Sequence, residues 1–91
     1  MTALRLLISG RVQGVGYRDW MLREAERRGL QGWVRNRADG AVEALVAGEE
    51  AAVRALLLAL RRGPLLARVD TIAEEEATPP AEPGFRRLPT G

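Results

Sequence analysis

The chain has 91 residues with no cysteine, histidine or lysine, and its 14 basic residues, all arginine, face 12 Asp and Glu for a formal charge of +2. That length has room for one core, hence a single domain over 1–91, and the missing residue types exclude thiolate and phosphohistidine chemistry, serine–histidine triads, Schiff bases, lysine phosphate clamps and zinc sites built on imidazole or sulfur. Arg and Glu are interleaved along most of the chain, which is the pattern of a solvated surface, so neither a nucleic-acid nor a membrane partner is expected.

In chain order, Leu4, Leu6 and Ile8 alternate with Arg5, Leu7 and Ser9 as a mostly apolar strand that stops at the glycine-bearing stretch from Gly10 to Gly16. Helical spacing from about Arg18 to Arg28 puts Met21 and Ala25 on one face with Tyr17, and Gly29 offers a left-handed stop. Gly32 to Ala38 and Ala41 to Ala47 are extended runs around Asp39-Gly40, a dipeptide suited to a tight antiparallel hairpin. Glu49 to Arg62 is the clearest helix, with Val53, Leu56, Leu57 and Leu60 on one stripe, acidic residues in its first turn and arginines in its last.

Ala67 to Glu75 reads as a fourth strand, a proline-rich loop follows, and Phe85-Arg86-Arg87-Leu88 is a candidate short edge strand. The order βαββαβ with two right-handed crossovers predicts an α+β, ferredoxin-like sandwich: a mainly antiparallel four-stranded sheet with both helices on one face. The longest apolar run, Ala55 to Leu60, is far short of a membrane span, and the segment Met1-Thr2-Ala3-Leu4-Arg5 lacks the regions of a signal peptide. A cytoplasmic monomer is expected.

Gln13-Gly14-Val15-Gly16-Tyr17-Arg18 lies between a strand end and a helix start, where main-chain N–H groups lack intrahelical partners and the helix dipole adds positive charge. Two glycines let successive N–H groups turn inward as a nest, and Arg18 can add a planar charged fork to the same anion. Glycine spacing alone also fits a plain strand-to-helix turn with Arg18 a solvated charge. The segment lacks the Gly-Lys-Ser/Thr ending of a Walker loop and the acidic partner of a dinucleotide fingerprint.

The run Gly10-Arg11-Val12-Gln13-Gly14-Val15-Gly16-Tyr17-Arg18, followed by Gly32-Trp33-Val34-Arg35-Asn36 and Asp39-Gly40-Ala41-Val42-Glu43, closely resembles the acylphosphatase family. The resemblance continues through Gly63-Pro64, Ala67-Arg68-Val69-Asp70 and Phe85 over nearly the whole chain. It implies hydrolysis of acyl phosphates to a carboxylate and phosphate. Arg18 matches the family's phosphate-binding arginine, Asn36 its water-positioning asparagine, and Gln13, Gly14, Val15, Gly16 and Tyr17 its phosphate cradle. Two departures are Arg37, where many members carry a hydroxyl residue, and the weakly patterned terminal segment Arg86 to Gly91.

Asn36 is the only asparagine, and its neutral amide can hold a water but cannot act as a base. An acyl phosphate needs none, because its leaving group is a weakly basic carboxylate and phosphoryl transfer passes through a loose transition state. The expected reaction is in-line attack by a water on Asn36, with Arg18 and the loop N–H groups on the equatorial oxygens and no metal or cofactor. Asp19, a rival nucleophile, is expected to point outward. Trp20 and Trp33 read as partial core cover, Tyr17 as a packing anchor, and Glu74-Glu75-Glu76 as a solvated strand end.

Two alternatives belong to other classes. An RNA-recognition module shares this element order, but its two central strands, here Leu4 to Ser9 and Ala41 to Ala47, would carry stacking aromatics and have none. A phosphate or small-acid sensor would bind the same anion without turnover. The module also heads larger carbamoyl-phosphate-processing proteins; a free-standing enzyme acting on a small acyl phosphate is preferred.

Overall fold

Alternate burial of Leu4, Leu6 and Ile8 sets the first strand of a computed structural model that describes residues 1–91. This strand, β1 (Thr2–Arg11), is followed by α1 (Tyr17–Arg27), β2 (Gln31–Asn36), β3 (Val42–Gly48), α2 (Glu50–Arg62), β4 (Arg68–Glu76) and β5 (Phe85–Arg87). The sheet order is β4-β1-β3-β2-β5. All neighbours are antiparallel except β5, which pairs in parallel with β2 through Gly32↔Phe85, Trp33↔Arg86 and Val34↔Arg87. The result is the ferredoxin-like α+β arrangement with a fifth strand added at one edge.

Tyr17, Met21 and Ala25 of α1 and Val53, Leu56, Leu57 and Leu60 of α2 are buried against the sheet, as their spacing predicts. They share one core with Leu4, Leu6, Ile8, Val34, Val42, Val46 and Phe85. Each large side chain there contributes about 1.5–3 kcal/mol of burial, which is what holds two short helices on the sheet. The second helix starts one residue later than its sequence pattern suggests, because Glu49 keeps extended dihedrals as the N-cap.

Two details place the site. At Ser9/Gly10 the pairing of β1 with β4 shifts register, and a Cβ on Gly10 would lie 2.1 Å from the Arg68 carbonyl oxygen, so only glycine lets β1 pass its neighbour as it turns out of the sheet. The β2–β3 turn is wider than a two-residue Asp-Gly hairpin. Arg37 N–H donates to the Ala41 carbonyl (2.8 Å), Gly40 N–H reaches back to the Arg37 carbonyl (3.2 Å), and Asp39 Oδ1 accepts from Ala41 N–H (3.0 Å). Asp39 thus closes the turn with its side chain, and Gly40 takes the positive φ of 95°.

Candidate active site

Between β1 and α1 the chain from Gln13 to Asp19 curls without pairing. None of these seven consecutive main-chain N–H groups donates to a carbonyl of the protein; the first α1 bond runs from Trp20 N–H to the Gly16 carbonyl at 3.0 Å. Gly14 and Gly16 lie at φ 74° and 78°, the left-handed conformation that turns successive N–H groups to one side. Gly16 is also the α1 N-cap, and no side chain caps the helix. The positive end of α1 and a run of free donors therefore meet in one concave turn.

Buried side chains hold that turn from below. Val12 and Tyr17 are in the core and Val15 packs against it. The Tyr17 hydroxyl donates to the Leu60 carbonyl at 2.8 Å. The helical partner of that carbonyl would be residue 64, a proline with no N–H, so the phenol supplies the missing donor. Burial pushes the Tyr17 phenol well above its ordinary range, which leaves it a neutral anchor. Trp20 packs on it with ring centroids 5.4 Å apart.

Above the turn lies a cleft of about 180 Å³ walled by Gly14, Gly16, Tyr17, Arg18 and Asp19 from the loop and α1, Asn36 from the end of β2, and Arg87 from β5. Arg18 is half-buried and has no ion-pair partner among the salt bridges of the protein. Asn36 Oδ1 is buried without a hydrogen-bond donor, although the Asn36 main-chain carbonyl is held by Gly91 N–H at 3.0 Å. A buried amide oxygen left unpaired costs free energy unless a ligand or water satisfies it. The cleft thus gathers unpartnered N–H groups, a guanidinium and a buried amide oxygen without a donor, an arrangement chemically suited to an anion.

Five of the sequence-predicted residues, Gly14, Gly16, Tyr17, Arg18 and Asn36, line this cleft, and the side chains of Gln13 and Val15 do not. Gln13 Nε2 instead donates to the carbonyls of Arg37 and Ala41, at 2.8 and 2.9 Å, and ties the loop to the β2–β3 turn. Arg37 leans away toward Asp39, with Nε 3.1 Å from Oδ2. Trp33 is not core cover: it lies on the sheet face opposite the helices, half-buried, with the Arg35 guanidinium 5.2 Å from its ring centroid. Asp19 is exposed, as expected, but stays on the cleft rim, paired with Arg87. Arg87 is the wall residue that sequence reasoning missed.

A larger depression of about 300 Å³ opens on the other sheet face, lined by Leu7, Ser9, Gly10, Asp39, Gly40 and Ala41. Its one charged side chain is a carboxylate, so it is unsuited to an anion. The unpartnered N–H groups and the unpaired Arg18 guanidinium gather instead at the smaller cleft.

Residues 4–87 match the family described as Acylphosphatase. The chain belongs to the acylphosphatase family. It is 63% identical over 91 residues to the acylphosphatase of Acidiphilium cryptum, covering all of both chains. With the acylphosphatase of Rhodospirillum rubrum it shares 53% over 90 residues, 99% of each chain. The crystal structure of the acylphosphatase from Bacillus subtilis superimposes with a TM-score of 0.93 at 37% identity, covering 97% of this chain and 99% of that one. The curled loop, Asn36 and Arg87 all fall within the span matched by the acylphosphatase family.

Proposed function

We propose that the chain hydrolyses acyl phosphates to a carboxylate and inorganic phosphate, acting as a single-domain, monomeric enzyme of the cytoplasm with no nucleic-acid partner. Family membership supports the reaction. The observation that carries the assignment of residues is that one cleft is lined by residues of a loop whose main-chain N–H groups have no carbonyl partner, by Arg18 and by Asn36, whose buried amide oxygen has no donor. Gln13 to Tyr17 offer main-chain donors to the phosphate, and Arg18 adds a fixed positive charge.

Asn36 Oδ1 accepts a hydrogen bond from the attacking water and aims its lone pair at phosphorus, in line with the acyl oxygen. The P–O bond to the carboxylate breaks as the new P–O bond forms. The water proton passes to a phosphoryl oxygen, since no protein base stands free in the cleft: Asp19 is engaged by Arg87, and Tyr17 is neutral. Charge shifting among the equatorial oxygens is met by donors already in place, so catalysis rests on position and field.

Phosphate release from benzoyl phosphate tests this reading. Removal of one preorganised donor costs roughly 10²–10³ in rate, which sets the loss expected for Arg18→Ala. Asn36→Ala should lower kcat comparably while inhibition by inorganic phosphate changes much less, because Asn36 holds the water and not the anion. A near-normal kcat in Asn36→Ala would falsify its role, and saturable phosphate binding with no turnover by the wild type would favour a sensor.

A further inference from the structure

The cleft holds a second guanidinium. Val34 and Phe85 are buried on the helix side of the sheet, and Arg87 pairs beside Val34 two residues after Phe85, so strand alternation raises Arg87 on that same side, next to Asn36. Its Nη1 donates to Oδ1 of Asp19 in the first turn of α1, and this is the one hydrogen bond recorded for the side chain. The pair bridges β5 and α1. Both partners are about half exposed, 43% and 53%, whereas Asn36 Oδ1 is buried, so Asn36 lies at the floor of the cleft and the pair at its mouth.

In-line geometry fixes what passes between them. A water held at the floor attacks phosphorus from below, and the acyl group must leave on the opposite side, toward the mouth. There the Nε and Nη2 donors of Arg87 are free, and the Asp19 carboxylate partly offsets their charge.

Resting on the reading that the cleft hydrolyses acyl phosphates, we propose that Arg87 and Asp19 form a charge filter for the acyl group. Arg87 donates to a second carboxylate carried by the acyl group, and Asp19 aims Arg87 while limiting how strongly it attracts. The substrate class thereby favoured is the acyl phosphate of a dicarboxylic acid.

The test compares 4-carboxybenzoyl phosphate with 4-methylbenzoyl phosphate, rigid substrates of similar size, and reads the ratio of their kcat/KM values in the wild type, Arg87→Gln and Asp19→Asn. A charge-assisted contact at a half-exposed site predicts that Arg87→Gln lowers the ratio about three- to tenfold, because Asp19 then faces the carboxylate alone. Asp19→Asn, which uncovers the guanidinium, should raise it. A pair that only braces β5 against α1 would instead slow both substrates in the same proportion in both variants. An unchanged ratio, or one moved in the same direction by both substitutions, overturns the filter. Wild-type protein inactive on both substrates would overturn the hydrolase reading beneath it, a result distinguishable from loss of the ratio alone.

Discussion

Gly16 shows what a single residue decides. It sits at φ 78° and no atom lies within 4 Å of the point where a Cβ would project, so the demand for glycine is conformational and not steric. An L-residue in that left-handed state costs about 1–2 kcal/mol. Gly16→Ala should lower unfolding free energy by that amount in urea titration and weaken inhibition by inorganic phosphate. D-alanine introduced at position 16 by chemical synthesis, which favours positive φ, should restore both. The curled turn of the candidate site was legible in the sequence because glycines, Arg18 and the helix start are neighbours in the chain. The role of Gln13 was not: its amide acts on Arg37 and Ala41, 24 and 28 residues away, and nothing local announces such a partner.

At the level of elements, the site exists because three separate pieces are clamped: the loop into α1, the end of β2, and β5. Gln13 joins the first to the second. Gln13→Ala removes two half-buried hydrogen bonds and should destabilise the fold by about 1–3 kcal/mol. It should also lower kcat more than it weakens phosphate binding, since the loop and Asn36 lose their common reference; urea unfolding and steady-state kinetics read the two effects. Both helices were legible, because stripes such as Val53, Leu56, Leu57 and Leu60 follow the helical repeat. The parallel seat of β5 beside β2 was not. A strand of three residues, Phe85-Arg86-Arg87, has too little alternation to declare a partner, and its place rests on Phe85 entering a core built by residues distant in sequence. Arg87 reaches the cleft only through that seat. Trp33 was misread for a related reason: in a half-buried strand the face an aromatic takes depends on register, which β3 sets.

Across the whole molecule, the sheet has a second and chemically separate side. Opposite the helices, Glu43 is buried on β3 with its side chain 4% exposed. It accepts from Arg5 Nε at 2.7 Å and from Arg35 Nε at 2.8 Å, while Arg5 also reaches Glu75 at 3.1 Å, so four strands are linked by ionic contacts. Burial by itself pushes the Glu43 carboxyl up, but hydrogen bonds and charge from Arg35 and Arg5 outweigh it and hold the carboxyl below its usual range. A carboxylate depressed in the folded state adds stability above its unfolded pKa of about 4.3, and loses it as pH falls through the lower folded value. Urea midpoints should therefore drop between pH 5 and acid. Glu43→Gln should cost about 1–3 kcal/mol at pH 7 and progressively less as pH falls below about 4.3, where the unfolded wild-type chain takes up a proton that the folded, arginine-paired carboxylate still resists. The cleft obeys another logic. The unpartnered N–H groups of the curled stretch from Gln13 to Asp19 are peptide groups, shared by every amino acid but proline, so a saturation scan of that stretch reports the curvature of the chain and leaves the proposed grip unscored. Only replacing an amide linkage with an ester, residue by residue, would expose how much of the enzyme is written in its backbone.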